Sequence, residues 1–164
     1  MIILKKNVTG ATSAGLAQFL ARAQRAAGLR GEVNVLVAGN REIRELNRRY
    51  RGQDKATDVL SFPSDGGAGK SFAGDIAISA DLAAQSARQF GHAPAEELKI
   101  LLLHGVLHLA GYDHERDNGG MARIEERLRA QLGLPTGLIA RSGDDDARPE
   151  PLRPGYVPRT KERS

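Results

Sequence analysis

The sequence predicts a single α+β domain built around one buried helix, and three observations carry that prediction. Segments that are β-branched or alternate in polarity, Val33 to Val37, Val59 to Phe62 and Phe72 to Ser79, are separated by stretches whose apolar residues recur at helical spacing. One of those stretches, Leu98 to Leu109, is apolar around nearly its whole circumference, as in a helix covered on every side. Finally, 164 residues with 40% hydrophobic and 27% charged side chains suffice for one substantial core.

Met1 to Lys5 reads as a short strand, followed by a helix with Leu16, Phe19, Leu20, Ala23 and Ala27 on its inner face, ended by Gly28 or Gly31. Val33 to Val37 forms a strand with Asn34 and Leu36 on the side opposite the valines. Asn40 is placed to cap a helix running to about Tyr50, with Ile43, Leu46 and Tyr50 facing inward. Arg41, Arg44, Arg48 and Arg51 fall on another face of it and, with Arg49 and Lys55, make the densest positive region of the chain. A solvated helix face and a phosphate-binding surface both fit that region.

Val59 to Phe62 is an apolar strand ended by Pro63, and Phe72 to Ser79 is a second strand with Ile76 and Ile78 on one side. The loop between them carries Gly69, Lys70 and Ser71, the tail of a nucleotide-binding phosphate loop. Ser64, however, stands where that loop needs its first glycine, and a strand rather than a helix follows, so no nucleotide cofactor is expected. Ser79 caps a helix through Leu82 to Phe90 that Gly91 closes, and Pro94, with Glu96 and Glu97 in the first turn, opens the buried helix. Met121, Ile124, Leu128 and Leu132 form a last stripe ending at Gly133, whose register makes Met121 core filling. Five of the seven prolines lie from Pro135 onward, beside the acidic run Asp144 to Asp146. Residues 1–134 are therefore expected to form the domain and 135–164 a disordered tail.

The chain has no cysteine, which excludes disulfides and thiolate ligands, and its longest apolar run is far too short to span a membrane. No segment has the arrangement of a secretory signal, so the cytoplasm is the expected compartment, with no membrane partner. A formal charge of +4 and a pI near 9.7 are compatible with a nucleic-acid partner without demonstrating one.

The chemistry concentrates in Leu101 to His114, LLLHGVLHLAGYDH, which holds three of the four histidines. His104 and His108, four apart on a helix, share one face with Cβ atoms roughly 5–6 Å apart. On a continuous helix His114 would point roughly 240° away from His108. It can join them only if the helix ends between the two, and Gly111 supplies that ending. Three imidazoles with no thiolate match the catalytic zinc pattern of three protein ligands plus an open position, rather than a closed structural site. Such an ion keeps its charge of about +2 and attracts an anionic substrate. The string HxxxHxxGxxH overlaps the zinc-protease signature HExxHxxGxxH, but Gly105 stands where those proteases carry their glutamate base, which counts against peptide hydrolysis.

Three blocks, LNRRYRGQDKATDVLSFP, GDIAIS and HGVLHLAGYDH, resemble the YbeY family of metal-dependent endoribonucleases of bacterial ribosomal RNA maturation, and together they anchor residues 46 to 114. The resemblance implies an α/β domain with a mixed sheet of about four strands flanked by helices. It also implies one zinc ion on His104, His108 and His114, with Arg51 as the functional basic residue near the metal. Arg51 and His114 are thus the catalytic candidates, and Arg41, Arg44, Arg48, Arg49 and Lys55 the candidates for RNA binding. Asp54, Thr57 and Asp58 match the family pattern without an assigned chemistry. A general base is unassigned: Asp113, Glu115 and Asp117 are near in sequence, and helix capping explains them equally well. The implied activity is single-strand-specific cleavage in ribosomal RNA processing, at the 3′ end of the small-subunit RNA, and ribosome quality control. Ribosomal RNA and the small subunit are the implied partners, with ribosomal proteins and an assembly GTPase as further candidates. A non-catalytic assembly factor that uses the metal only for shape is the rival reading.

Overall fold

The structure, a computed structural model, describes residues 1–64, 71–112 and 119–136. Its elements run β1 (Ile2–Leu4), α1 (Ser13–Ala27), β2 (Glu32–Ala38), α2 (Asn40–Arg51), β3 (Val59–Pro63), β4 (Phe72–Ser79), α3 (Ala80–Phe90), α4 (Pro94–Leu109) and α5 (Gly120–Gln131). The sheet order is β1-β2-β4-β3. Helical crossovers make β1, β2 and β4 parallel, whereas the β3–β4 hairpin is antiparallel, so the sheet is mixed. A four-stranded mixed sheet flanked by helices is the architecture the resemblance implied.

Alternation along the strands decides which helix covers which face. Val33, Val35 and Val37 of β2, Val59 of β3 and Ile76 and Ile78 of β4 join the main core, where Leu16, Phe19 and Leu20 of α1 and the apolar residues of α4 meet them. The opposite face offers Leu36, Leu60, Phe62 and Ala77, and α2 covers it with Ile43 and Leu46. Helix α4 is buried from Glu97 to His108 apart from Lys99, as its apolar circumference predicted. Met121 is wholly enclosed in the same core. Caps follow the local rules in two places: Thr12 Oγ1 accepts the Gly15 N–H at the start of α1, and Ser79 Oγ accepts that of Leu82 at the start of α3.

Three local expectations change. Asn40 does not cap α2; the helix starts at Asn40 after Gly39, and the carboxylate that accepts the Asn40 N–H, at 2.8 Å, comes from Asp81 of α3. Asp81 is held in turn by Lys6 at 2.7 Å, so the cap is supplied by residues distant in sequence. Pro63 does not stop β3 but belongs to it. Ser64 and Asp58 both hydrogen-bond to β4 across the ladder, which by antiparallel alternation turns the peptide groups of Val59, Ser61 and Pro63 toward the open edge. A residue without an N–H costs no ladder bond there. Tyr50, expected to face inward, is 61% exposed; at the last turn of α2 it lies by the open edge of the sheet, where its ring and that of Phe62 on β3 meet edge to face.

No helix among the described residues is long and apolar enough to cross a membrane. The expected tail from 137 onward and Gly69 and Lys70 of the phosphate-loop tail lie outside the described residues; β4 begins directly after Ser71.

Candidate metal centre

Helix α4 brings His104 and His108 together as the i, i+4 spacing requires. Both are buried, and their Nε2 atoms lie 3.1 Å apart. Two nitrogens each about 2.0–2.1 Å from a tetrahedral ion stand roughly 3.3 Å apart, so the pair is already close to a chelating separation.

The orientation is set from α5. Glu125 Oε1 lies 2.9 Å from His104 Nδ1, and Arg129 donates to the other carboxylate oxygen at 2.7 Å. An ionised carboxylate only accepts, so Nδ1 carries the proton and Nε2 of the neutral ring keeps its lone pair for a cation. Burial by itself would push the Glu125 carboxyl up. With the ring protonated, the charge and hydrogen bond of the His104 imidazolium, joined by those of Arg129, outweigh burial and hold it well below the usual carboxylate range; on the neutral ring the hydrogen bond from Nδ1 and the Arg129 guanidinium remain. A carboxylate behind a histidine is the usual support of a metal-binding imidazole. The donor set thus fits a borderline-soft divalent ion such as zinc.

The end of α4 is also as expected. The helix stops at Leu109, Gly111 takes a φ of 102°, and its N–H reaches back to the His108 carbonyl. A side chain at that φ would be strained, so the glycine releases the chain from the helix one turn after His108. The third expected ligand, His114, lies outside the described residues, as do Asp113, Glu115 and Asp117. Among the described residues no group of three or more His, Cys, Asp or Glu is arranged to hold a metal ion.

Gly105 has a packing reason of its own. A Cβ built there would come within 2.9 Å of Ile76 Cγ2 and 3.0 Å of its Cδ1, so position 105 faces the sheet and lets α4 sit close on β4. A glutamate there would be driven into the core.

Arg51 lies at the open edge of β3. Its Nη2 donates to the Ser61 carbonyl, and its guanidinium stands 5.1 Å over the Phe62 ring. Ser61 in turn donates from Oγ to the Gly105 carbonyl at 3.4 Å, so one residue links Arg51 to the backbone beside His104. The other arginines are dispersed along exposed α2. Arg44 grips Asp54 with two bonds of 2.7 and 3.2 Å, while Arg48 and Arg49 share Glu45 at 2.6 and 3.5 Å. Hydrogen bonding to those carboxylates raises the Arg44 and Arg48 guanidinium pKa values and lowers those of Asp54 and Glu45. Arg41 and Lys55 are exposed. Asp54 therefore serves Arg44, and Asp58 Oδ1 accepts the edge-facing Val59 N–H at 2.8 Å.

Sequence reasoning missed Glu125 and Arg129. A signal was present: Met121, Glu125, Leu128 and Leu132 lie on one helical stripe, and an acidic residue inside an apolar stripe calls for a buried partner.

Residues 4–133 match the family described as Endoribonuclease YbeY. A Koribacter versatilis protein named Endoribonuclease YbeY is 57% identical over 144 residues, covering 87% of this chain and 91% of its own. A Solibacter usitatus protein of the same name is 58% identical over 108 residues, covering 66% and 71%. A solution structure of a Thermotoga maritima protein, 28% identical, superposes with a TM-score of 0.53 over 92% of this chain and 98% of its own.

Proposed function

The chain belongs to the YbeY endoribonuclease family, and from that premise we propose that it cuts single-stranded RNA in a metal-dependent reaction of ribosomal RNA processing. The observation that carries the metal site is the 3.1 Å approach of the His104 and His108 Nε2 atoms, backed by Glu125. His104, His108 and His114 are the proposed ligands of one zinc ion. Bound there, the ion supplies Lewis acidity toward a phosphodiester and a water. Arg51 neutralises charge that builds on the phosphoryl oxygens, and its link through Ser61 to the backbone beside His104 supports that role. Arg41, Arg44, Arg48, Arg49 and Lys55 provide sequence-independent attraction for the RNA backbone.

The proposed substrate is small-subunit ribosomal RNA near its 3′ end, in the cytoplasm. Such a substrate brings ribosomal proteins and an assembly GTPase within reach as partners. The catalytic unit is placed in residues 1–134, which the family match from 4 to 133 supports. Residues 135–164 are given no part in catalysis. Peptide hydrolysis is disfavoured because position 105 offers no room for the protease glutamate.

The rival, a non-catalytic assembly factor, binds RNA without turnover. Metal analysis of the purified chain, with cleavage of unstructured RNA before chelation, after it and after zinc is restored, separates the two. Cleavage that chelation abolishes and zinc restores is the expected result; RNA binding without cleavage in any state would favour the assembly factor.

A further inference from the structure

Tyr50 is the most exposed aromatic side chain among the described residues, in a chain with only four phenylalanines, three tyrosines and no tryptophan. Its surroundings are specific. The ring packs edge to face with Phe62 at a centroid distance of 5.7 Å and an interplanar angle of 66°. Arg49 lies 5.9 Å from its centroid, at the outer limit of a cation–π contact. Phe62 also carries the Arg51 guanidinium, so one half-buried ring braces both the tyrosine and the arginine proposed to act on the phosphate. An apolar function for Tyr50 is poorly served, since α2 buries only Ile43 and Asn47 and leaves this ring to solvent amid Arg48, Arg49 and Arg51.

We propose that Tyr50 is a stacking platform for one unpaired nucleobase, next to the phosphate held at Arg51. This deepens the endoribonuclease reading and rests on it. A base has a π-face whatever its identity, so stacking is tolerant of sequence, and it is available only to a base that has left its helix. Nearby guanidinium groups supply the backbone attraction that stacking alone lacks. The edge of β3 is already partly engaged, because Asp58 takes the Val59 N–H, Arg51 takes the Ser61 carbonyl and Pro63 has no N–H. Tyr50 thereby makes the site prefer single strands and places a base without reading it.

The test uses the full, metal-loaded chain and an unstructured oligouridylate carrying 2-aminopurine at one position in turn, with fluorescence read by stopped flow before cleavage. Wild-type protein should quench the probe at one position. Tyr50→Leu, which keeps bulk but not the aromatic face, should lose that quenching and bind about 5- to 100-fold more weakly. Tyr50→Phe should retain both within about threefold, and binding to duplex RNA should be alike in all three. Equal quenching and affinity in Tyr50→Leu, with wild-type cleavage intact, would overturn the platform and leave the endoribonuclease reading standing. Wild-type protein that neither binds nor cuts the oligonucleotide would overturn both.

Discussion

Helices α2 and α4 lie on opposite faces of one sheet and treat polar side chains in opposite ways. On α4 two histidines are buried in a leucine-rich helix, where their Nε2 atoms face each other and Glu125, braced by Arg129, holds His104. On α2 the arginines stand in water and hold carboxylates through exposed ion pairs. Packing on α4 lets the chain hold a precise donor geometry, because a buried imidazole with one satisfied nitrogen has few other rotamers. Exposure on α2 leaves each guanidinium able to exchange its carboxylate for a phosphate, since surface pairs add little net stability. Arg51 falls between these cases. It belongs to the exposed helix, yet its guanidinium is tied to the strand that touches α4.

The contrast is sharpest at the proposed ligands. His108→Ala should lose nearly all bound metal and with it RNA cleavage, while the fold persists; metal content of the purified variant, read beside its circular dichroism, checks this. Retention of full metal would remove the site as drawn. Arg51→Ala should keep its metal and most of its RNA affinity but cleave about 10²- to 10³-fold more slowly, because the contact matters chiefly when charge develops in the transition state. Single-turnover rates at saturating protein, measured with equilibrium binding, read the two effects apart, and an unchanged rate would strip Arg51 of its role.

Glu125→Gln keeps the size of the side chain but removes the charge that faces His104 and Arg129. Metal affinity should fall about 10- to 100-fold, as competition with a chromogenic chelator would show; undiminished affinity would make the pair purely structural. Gly105→Ala tests the packing that holds α4 on β4. The new methyl meets Ile76, and the crowding should cost about 1–3 kcal/mol before the better helix propensity of alanine returns a fraction. Denaturant midpoints should show a net loss, and a smaller one when Ile76→Ala makes room; a gain in stability would mean that the helix is not pressed on the sheet there.

The smallest effects belong to α2. Arg44→Gln with Arg48→Gln should leave the thermal midpoint nearly where it was, lower RNA affinity alike for all sequences, and flatten its dependence on salt by about one unit of slope per lost contact. An unaltered salt slope would assign RNA to another surface.

The family match and the relatives agree with the resemblance drawn from HGVLHLAGYDH and its two companion blocks. The histidine pair in the third block was legible because the spacing of His104 and His108 is written in consecutive turns of one helix, where local geometry decides it. The same holds for the ends of that helix at Pro94 and Gly111, and for the strands, whose alternation follows from a period of two. Tertiary structure decided the rest. Tyr50 carried the periodicity of an inward residue, but whether a helix still has a sheet beneath it at its last turn depends on where the sheet ends. Pro63 could stay in a strand because β3 is an edge and its peptide faces outward, which only the pairing with β4 fixes. The cap of α2 came from Asp81, 41 residues away, and the brace of His104 from Glu125, 21 residues away. Spacing within a helix fixes which side chains share its face; what stands opposite that face is fixed only when distant segments pack, and there the sequence by itself is silent.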